Sequence, residues 1–209
     1  MNGQLTTRDR ILDAAEELFA HQGFDATSLR EITSAAGVNL AAVNYHFQSK
    51  EALLKAVVGR RLTPLNERRL SLLDEIERTG QLTLETIFEA LIVPVLELHA
   101  HAPNFVPIMG RVYTAPGALV ELVIREHMKP VSERFVPVLQ RALPHLSPIE
   151  LMWRIQFTIG AVSHVMAGSP LIRAISGGIC EPSDTATVRR QLMPYVLAGF
   201  SAPAPKEHS

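Results

Sequence analysis

Cysteine is almost missing from this chain: Cys180 is the one thiol in 209 residues. That excludes an intramolecular disulfide and any zinc site built from several cysteines, and it suits a reducing cytosol. No histidine is placed beside Cys180 by spacing, so it reads as an inert thiol. Long apolar runs are missing too. No stretch of eighteen uninterrupted apolar residues occurs, so no membrane span is expected. The opening MNGQLTTRDR lacks the apolar run of a signal peptide, and a cytoplasmic protein is the expectation. Charge of one sign is lacking as well. Twenty basic and 21 acidic residues give a net charge of −1, so the chain as a whole does not attract nucleic acid. Any DNA affinity has to come from a local patch. There is no Gly-rich phosphate loop after a strand and no nucleophile elbow. His99 and His101 are two residues apart, which a helix would not place on one face. No catalytic residue, metal or cofactor is therefore expected, and no enzyme.

What is present is apolar material in helical spacing. Hydrophobic residues make up 47% of the chain, enough for a buried core, and strand alternation is scarce. The expected fold is all-α. The most informative stretch is TSLREITSAAGVNLAAVNYHFQSK, Thr27 to Lys50. Thr27 or Ser28 caps a first short helix, and Ser28 with Glu31 has capping-box spacing. Leu29, Ile32 and Ala36 share one face. Gly37 ends that helix, because the residue just past a helix often needs positive φ. Asn39 can cap the next helix, whose Val43 and Phe47, four apart, pin it to a core.

The other face of that second helix carries Leu40, Ala41, Ala42, Asn44, Tyr45 and His46. A buried helix would be apolar all round, and a solvated one would carry Glu, Lys and Gln. Two alanines allow close approach, while an amide, a phenol and an imidazole can hydrogen-bond phosphates and base edges. Lys50 stands at the start of a further helix, where free backbone N–H groups also favour an anion. Two helices joined by a Gly-containing turn, the second with a polar face, form a helix-turn-helix. The bland alternative is a helical hairpin whose polar face meets water. Between Thr27 and Arg61 stand Arg30, Lys50, Lys55, Arg60 and Arg61 against Glu31 and Glu51, a local net of +3. That modest patch predicts weak non-specific DNA binding.

Around this motif, Thr6 or Thr7 opens a helix to about Gln22 with Ile11, Leu12, Ala15, Leu18 and Phe19 as its buried stripe. Asp9, Asp13, Glu16 and Glu17 fall on its solvated side, and Arg8 and Arg10 at its start are phosphate ligands or simply solvated. Residues 1–50 form the helix-turn-helix domain, 51–80 a connecting helix kinked or broken at Pro64, and 81–200 a larger helical domain. Residues 201–209 are an expected disordered tail. Proline recurs inside the helices of the larger domain.

Residues 8 to 58 resemble the DNA-binding domain of the TetR family of bacterial transcriptional regulators. The likeness lies in a first helix ending at a glycine and an aromatic, then Thr-Ser, Ala-Gly-Val, aromatic-His-Phe and Ser-Lys-Glu, all at matching spacing. NLAAVNYHF, and more weakly PIELMWRIQFTIGA, resemble a branch that includes regulators of fatty-acid metabolism. The resemblance implies a homodimer gripping a palindromic operator in double-stranded DNA through Thr27, Ser28, Arg30, Asn39, Leu40, Ala41, Ala42, Asn44, Tyr45, His46 and Lys50. Ala41 and Ala42 would approach bases, while Thr27, Tyr45, His46 and Lys50 would hold phosphates. Leu40 stands where many relatives carry a polar or basic residue.

The resemblance also implies a small apolar effector, a fatty acid or acyl-CoA, in the larger domain. Phe88, Leu91, Phe105, Ile108, Met109, Val112, Phe135, Trp153 and Phe157 are the candidate lining, with Arg111, Tyr113, His127 and Gln156 as its polar groups. The same apolar residues would equally serve as a closed core. Met152, Ile155, Ile159, Ser163 and Met166 on one helix, with Val188, Leu192, Tyr195 and Val196 on the last, are the candidate dimer interface. Two function classes compete: a ligand-released regulator, in the sense of a repressor, and a helical lipid-binding protein, carrier or enzyme without DNA binding.

Overall fold

The computed structural model describes residues 5–102, 104–114, 121, 123–166 and 170–204, with the side chains of 106, 111–114 and 170 outside that description. Among the described residues the regular elements are all helical. They are α1 (Thr7–Gln22), α2 (Leu29–Ala36), α3 (Leu40–Phe47), α4 (Lys50–Thr79), α5 (Leu84–His101) and α6 (Phe105–Thr114). A π-helical turn at Ile124–Met128 precedes α7 (Lys129–Ala142), α8 (Pro148–Met166), α9 (Pro170–Ile175) and α10 (Thr185–Ser201). The chain divides into two compact units, Met1–Pro64 with Ala102–His127 and Leu65–His101 with Met128–Ser209.

In the first unit α1 packs against α2, α3 and α6. The Thr6 hydroxyl accepts the Asp9 N–H at 3.1 Å and so starts α1, while Gly23, at φ 86°, ends it. Ile11, Leu12, Ala15 and Phe19 are buried as the spacing predicts. Glu16 departs from expectation. It is not solvated but 5% exposed, because it borders the apolar stripe and accepts hydrogen bonds from Arg60 and Arg61 of α4. Asp13 takes the other arm of Arg60 at 2.6 Å. Burial works against the Arg60 charge, but the hydrogen bonds it donates to Glu16 and Asp13 outweigh it and hold the guanidinium above its ordinary value.

α4 runs unbroken through Pro64 to Thr79. Proline there removes one intrahelical donor without ending the helix, contrary to a break at that point. α5 continues through Pro94 in the same way. The π-helical turn at Ile124–Met128 runs directly into α7, with Pro130 in the first turn of α7. Pro130 has no N–H to give the carbonyl of Glu126, and a wider turn accommodates that loss.

The second unit is built on α5, which packs against α7, α8 and α10, while α10 also meets α8. Ile87, Phe88, Ile92, Leu96, Phe135, Leu139, Leu151, Val196 and Phe200 are buried in its core. The Phe88 and Phe200 rings stand 4.5 Å apart. The tail expected to be disordered from 201 is tied down at first. Arg154 donates to the carbonyls of Gly199, Phe200, Ala202 and Pro203. Residues 205–209 lie outside the described residues.

Candidate nucleic-acid interface

α2 and α3 are held by their caps. Ser28, not Thr27, caps α2: its hydroxyl accepts the Glu31 N–H at 3.2 Å while the Glu31 carboxylate accepts the Ser28 N–H at 2.7 Å. Hydrogen bonding of the Glu31 carboxylate with the Ser28 side chain, and then with its backbone N–H, is the main reason that carboxyl is held below its ordinary value. Gly37, at φ 63°, closes α2 in the left-handed region. The Asn39 side chain accepts the Ala42 N–H at 2.9 Å and opens α3. Val43 and Phe47 are buried and fix the inner side of α3.

The outer side is left open. Tyr45 is 83% exposed. Asn39, Leu40, Ala41 and Asn44 are also exposed, and Ala42 and His46 are half-buried. The His46 ring meets Tyr45 edge-on at 5.1 Å. The candidate residues of α3 therefore do come together on one uncovered face of mixed, mostly uncharged chemistry. Ser28 and Arg30 are exposed at the start of α2. Thr27 does not join them. It is 1% exposed, and its hydroxyl donates to the Gly23 carbonyl at 2.6 Å. It closes the α1–α2 loop from inside, so its side chain holds no phosphate.

The cations divide in a way that spacing did not indicate. Arg60 and Arg61 face Glu16, and Lys55 pairs with Glu126 at 2.7 Å. Three of the five cations counted toward the +3 patch thus already have carboxylate partners. Lys50 lies over the Phe24 ring at 4.4 Å and donates to the Asp25 carbonyl at 3.4 Å. At the junction of α3 and α4, Gln48 has φ 66° and ψ −39°, and the Ser49 N–H bonds the Phe47 carbonyl at 2.7 Å. This is a γ-turn of the strained, positive-φ kind. The Ser49 hydroxyl then accepts the Ala52 N–H at 3.1 Å and starts α4.

Elsewhere the candidate residues are redistributed. Phe88, Leu91 and Phe135 belong to the second unit, while Phe105, Ile108, Met109 and His127 belong to the first. All of these except the half-buried Leu91 are buried. His127 packs beside Gly59, and burial is the main cause that lowers its pKa. The side chains of Arg111, Val112 and Tyr113 lie outside the described residues. Trp153 and Phe157, 59% and 65% exposed, line no interior. With exposed Gln156 they stand on the outward arc of α8, because helical geometry turns Leu151, Val162 and Met166 inward instead. The reverse correction applies to the dimer candidates. Met166, Leu192 and Val196 are buried within the chain, so they form core, whereas Met152, Ile159 and Tyr195 are exposed. Ile155, Ser163 and Val188 are half-buried.

Comparison with known proteins then settles the family. Residues 11–57 match the model for bacterial regulatory proteins of the tetR family, and residues 89–199 match the tetracyclin repressor-like C-terminal domain. The chain belongs to the TetR family. Its relatives include the HTH-type transcriptional regulator SrpR of Pseudomonas putida, 31% identical over 78% of this chain and 72% of that one. Another is the HTH-type transcriptional repressor BepR of Brucella suis, 35% identical over 45% of this chain and 43% of that one. The fatty acid degradation regulator FadR of Bacillus halodurans shares the fold, with a TM-score of 0.68 at 14% identity over 94% of this chain and 99% of that one. This TetR-family chain is a helix-turn-helix transcriptional regulator that binds DNA, not an enzyme. The competing carrier or enzyme reading gives way.

Proposed function

We propose that this TetR-family protein is a cytoplasmic repressor that grips a palindromic operator as a homodimer and is released by a small apolar effector. The observation that carries the DNA half is the open face of α3, fixed from behind by buried Val43 and Phe47. Ala41 and Ala42 lie close to base edges, and Tyr45, His46 and Lys50 hold phosphates. Lys50 keeps its place through Phe24 and Asp25. Residues 1–50 read DNA, 51–80 connect, and 81–200 bind effector and partner. The repressor sense is supported by the relative BepR, whose name states it.

The dimer half rests on α8. Ile149, Met152, Trp153 and Phe157 are exposed without a charge among them, and Trp153 stacks on Phe157 at 5.8 Å. A second copy covers this face, joined by Tyr195 of α10. Two recognition helices about 34 to 36 Å apart then read two half-sites. The effector is an acyl chain, a fatty acid or acyl-CoA; support comes from the sequence likeness and from the neighbour FadR. It favours release by binding the DNA-free arrangement more tightly than the bound one. Selection of bound sequences from random duplex DNA tests this reading. A palindrome is expected, and long-chain acyl-CoA is expected to release it. Recovery of no common sequence would overturn the DNA half, and a palindrome indifferent to acyl-CoA would overturn the effector class.

A further inference from the structure

We propose that Arg10 is a positioning residue of the DNA-reading motif, supplying from α1 the cation that the C-terminus of α2 lacks. The last turn of a helix leaves carbonyls without donors and carries partial negative charge. α2 has no basic residue in its own last turn. Two of its carbonyls are served within the turn: the Val38 N–H reaches Thr33 at 3.0 Å and the Gly37 N–H reaches Ser34 at 3.2 Å. The carbonyl of Ala36, the last helical residue, is served from outside, by Arg10 Nη1 at 3.2 Å.

The guanidinium lies directly against the turn. A Cβ added at Gly37 would stand 3.6 Å from Arg10 Nη1. Two residues earlier on α1, the Arg8 guanidinium carbon stands 5.5 Å from the centre of the Phe47 ring. Phe47 is the last residue of α3. The first turn of α1 therefore touches the exit of both helices of the motif. Arg10 fixes where the α2–α3 turn sits, and with it the setting at which α3 carries Tyr45 and Asn44. This assigns Arg10 an internal contact where sequence spacing offered only phosphate or solvent.

The test rests on the DNA-binding reading and uses the full chain with Arg10→Met. The probes are the duplex recovered by selection and a scrambled duplex of equal length, titrated across a salt series. A positioning role predicts that affinity for the selected duplex falls about tenfold while the scrambled duplex loses about twofold or less, since a phosphate contact weakens all sequences alike. The slope of log affinity against log salt stays the same, where a lost phosphate contact would flatten it by about 0.9. In the DNA-free protein, amide exchange at Gly37 and Val38 speeds several-fold. Equal loss on both duplexes with a flattened slope would overturn the proposal in favour of a phosphate contact. Unchanged affinity and exchange would overturn it in favour of a solvated arginine. If R10M does not fold, Arg10→Lys, which keeps the charge and loses the planar fork, carries the same readouts. If the wild type prefers no duplex, the DNA reading fails, and the exchange measurement still decides the contact of Arg10.

Discussion

α3 and α8 each leave one face uncovered, and the two faces differ in kind. The α3 face is small and mixed, mostly uncharged: Asn39 at the cap, then Leu40, Ala41, Asn44 and Tyr45 on a helix of eight residues. The α8 face is large and apolar: Ile149, Met152, Trp153 and Phe157 on a helix of nineteen. An uncovered apolar patch is costly in water and asks for a dry, shape-matched partner. An uncovered patch of amide, phenol and methyl groups is stable in water and suits a wet, hydrogen-bonding partner such as a nucleic-acid groove. The same all-helical chain thus presents two surfaces of different chemistry, which the proposed function assigns to a second copy and to DNA.

The contrast can be broken at its strongest point first. Trp153→Asp should raise the dimer dissociation constant by about 30-fold or more, an interfacial aromatic being worth roughly 2 kcal/mol or above. Sedimentation should show a folded monomer, because Trp153 is exposed in the single chain. A dimer of undiminished affinity would remove the α8 face from the interface.

Next comes the joint between α1 and α4. Glu16→Gln leaves Arg61, its side chain 30% exposed, facing no full charge, and leaves Arg60, 23% exposed, with Asp13 alone. The cost should be about 2 kcal/mol in a urea melt, below the value for a fully buried pair because water reaches both guanidiniums. A loss under about 0.5 kcal/mol would mean the network is ornamental.

On the α3 face, Tyr45→Ala should weaken binding to the selected duplex about tenfold yet leave the urea midpoint nearly unchanged, as for other surface sites. Val43→Ala, on the inner side of the same helix, should lower both. Equal stability losses for the two would contradict the division of α3 into an inner and an outer side.

The smallest effects concern the frame of the motif. The Glu31 carboxyl is held below its ordinary value of 4.5 by Ser28. A depressed folded value means its stabilisation is complete above that ordinary value and is lost as pH falls through the lower one. Ser28→Ala should therefore flatten the acid limb of stability below about pH 4.5 and leave neutral pH behaviour otherwise similar in shape. Gln48→Gly should raise stability by a few tenths of a kcal/mol. Relief of the positive φ slightly exceeds the added freedom of glycine in the unfolded chain.

Much of the motif was legible in the sequence because caps are local. Ser28 with Glu31, Gly37 and Asn39 act on residues within four positions, and the structure places each where spacing puts it. Period alone also found two arcs on α8, but not which arc is covered. Trp153 and Phe157 look like core by hydropathy, and Met166 looks interchangeable with Met152. Only the packing of α8 on α5 and α10 decides between them. Glu16 was misplaced for the same reason. Its partners, Arg60 and Arg61, lie 44 and 45 residues away, and nothing nearby in sequence marks it as buried. Thr27 was misread because a hydroxyl next to a cap serves its own backbone as readily as a ligand.

Hydroxyl-radical labelling of Tyr45 and Trp153, with and without the selected duplex, tests the two-face account in one measurement. Tyr45 should be reactive in the free protein and protected in the complex. Trp153 should be protected in both at concentrations that keep the dimer. Tyr45 reacting equally fast in the bound complex, or Trp153 reacting freely in a DNA-bound protein, would contradict it.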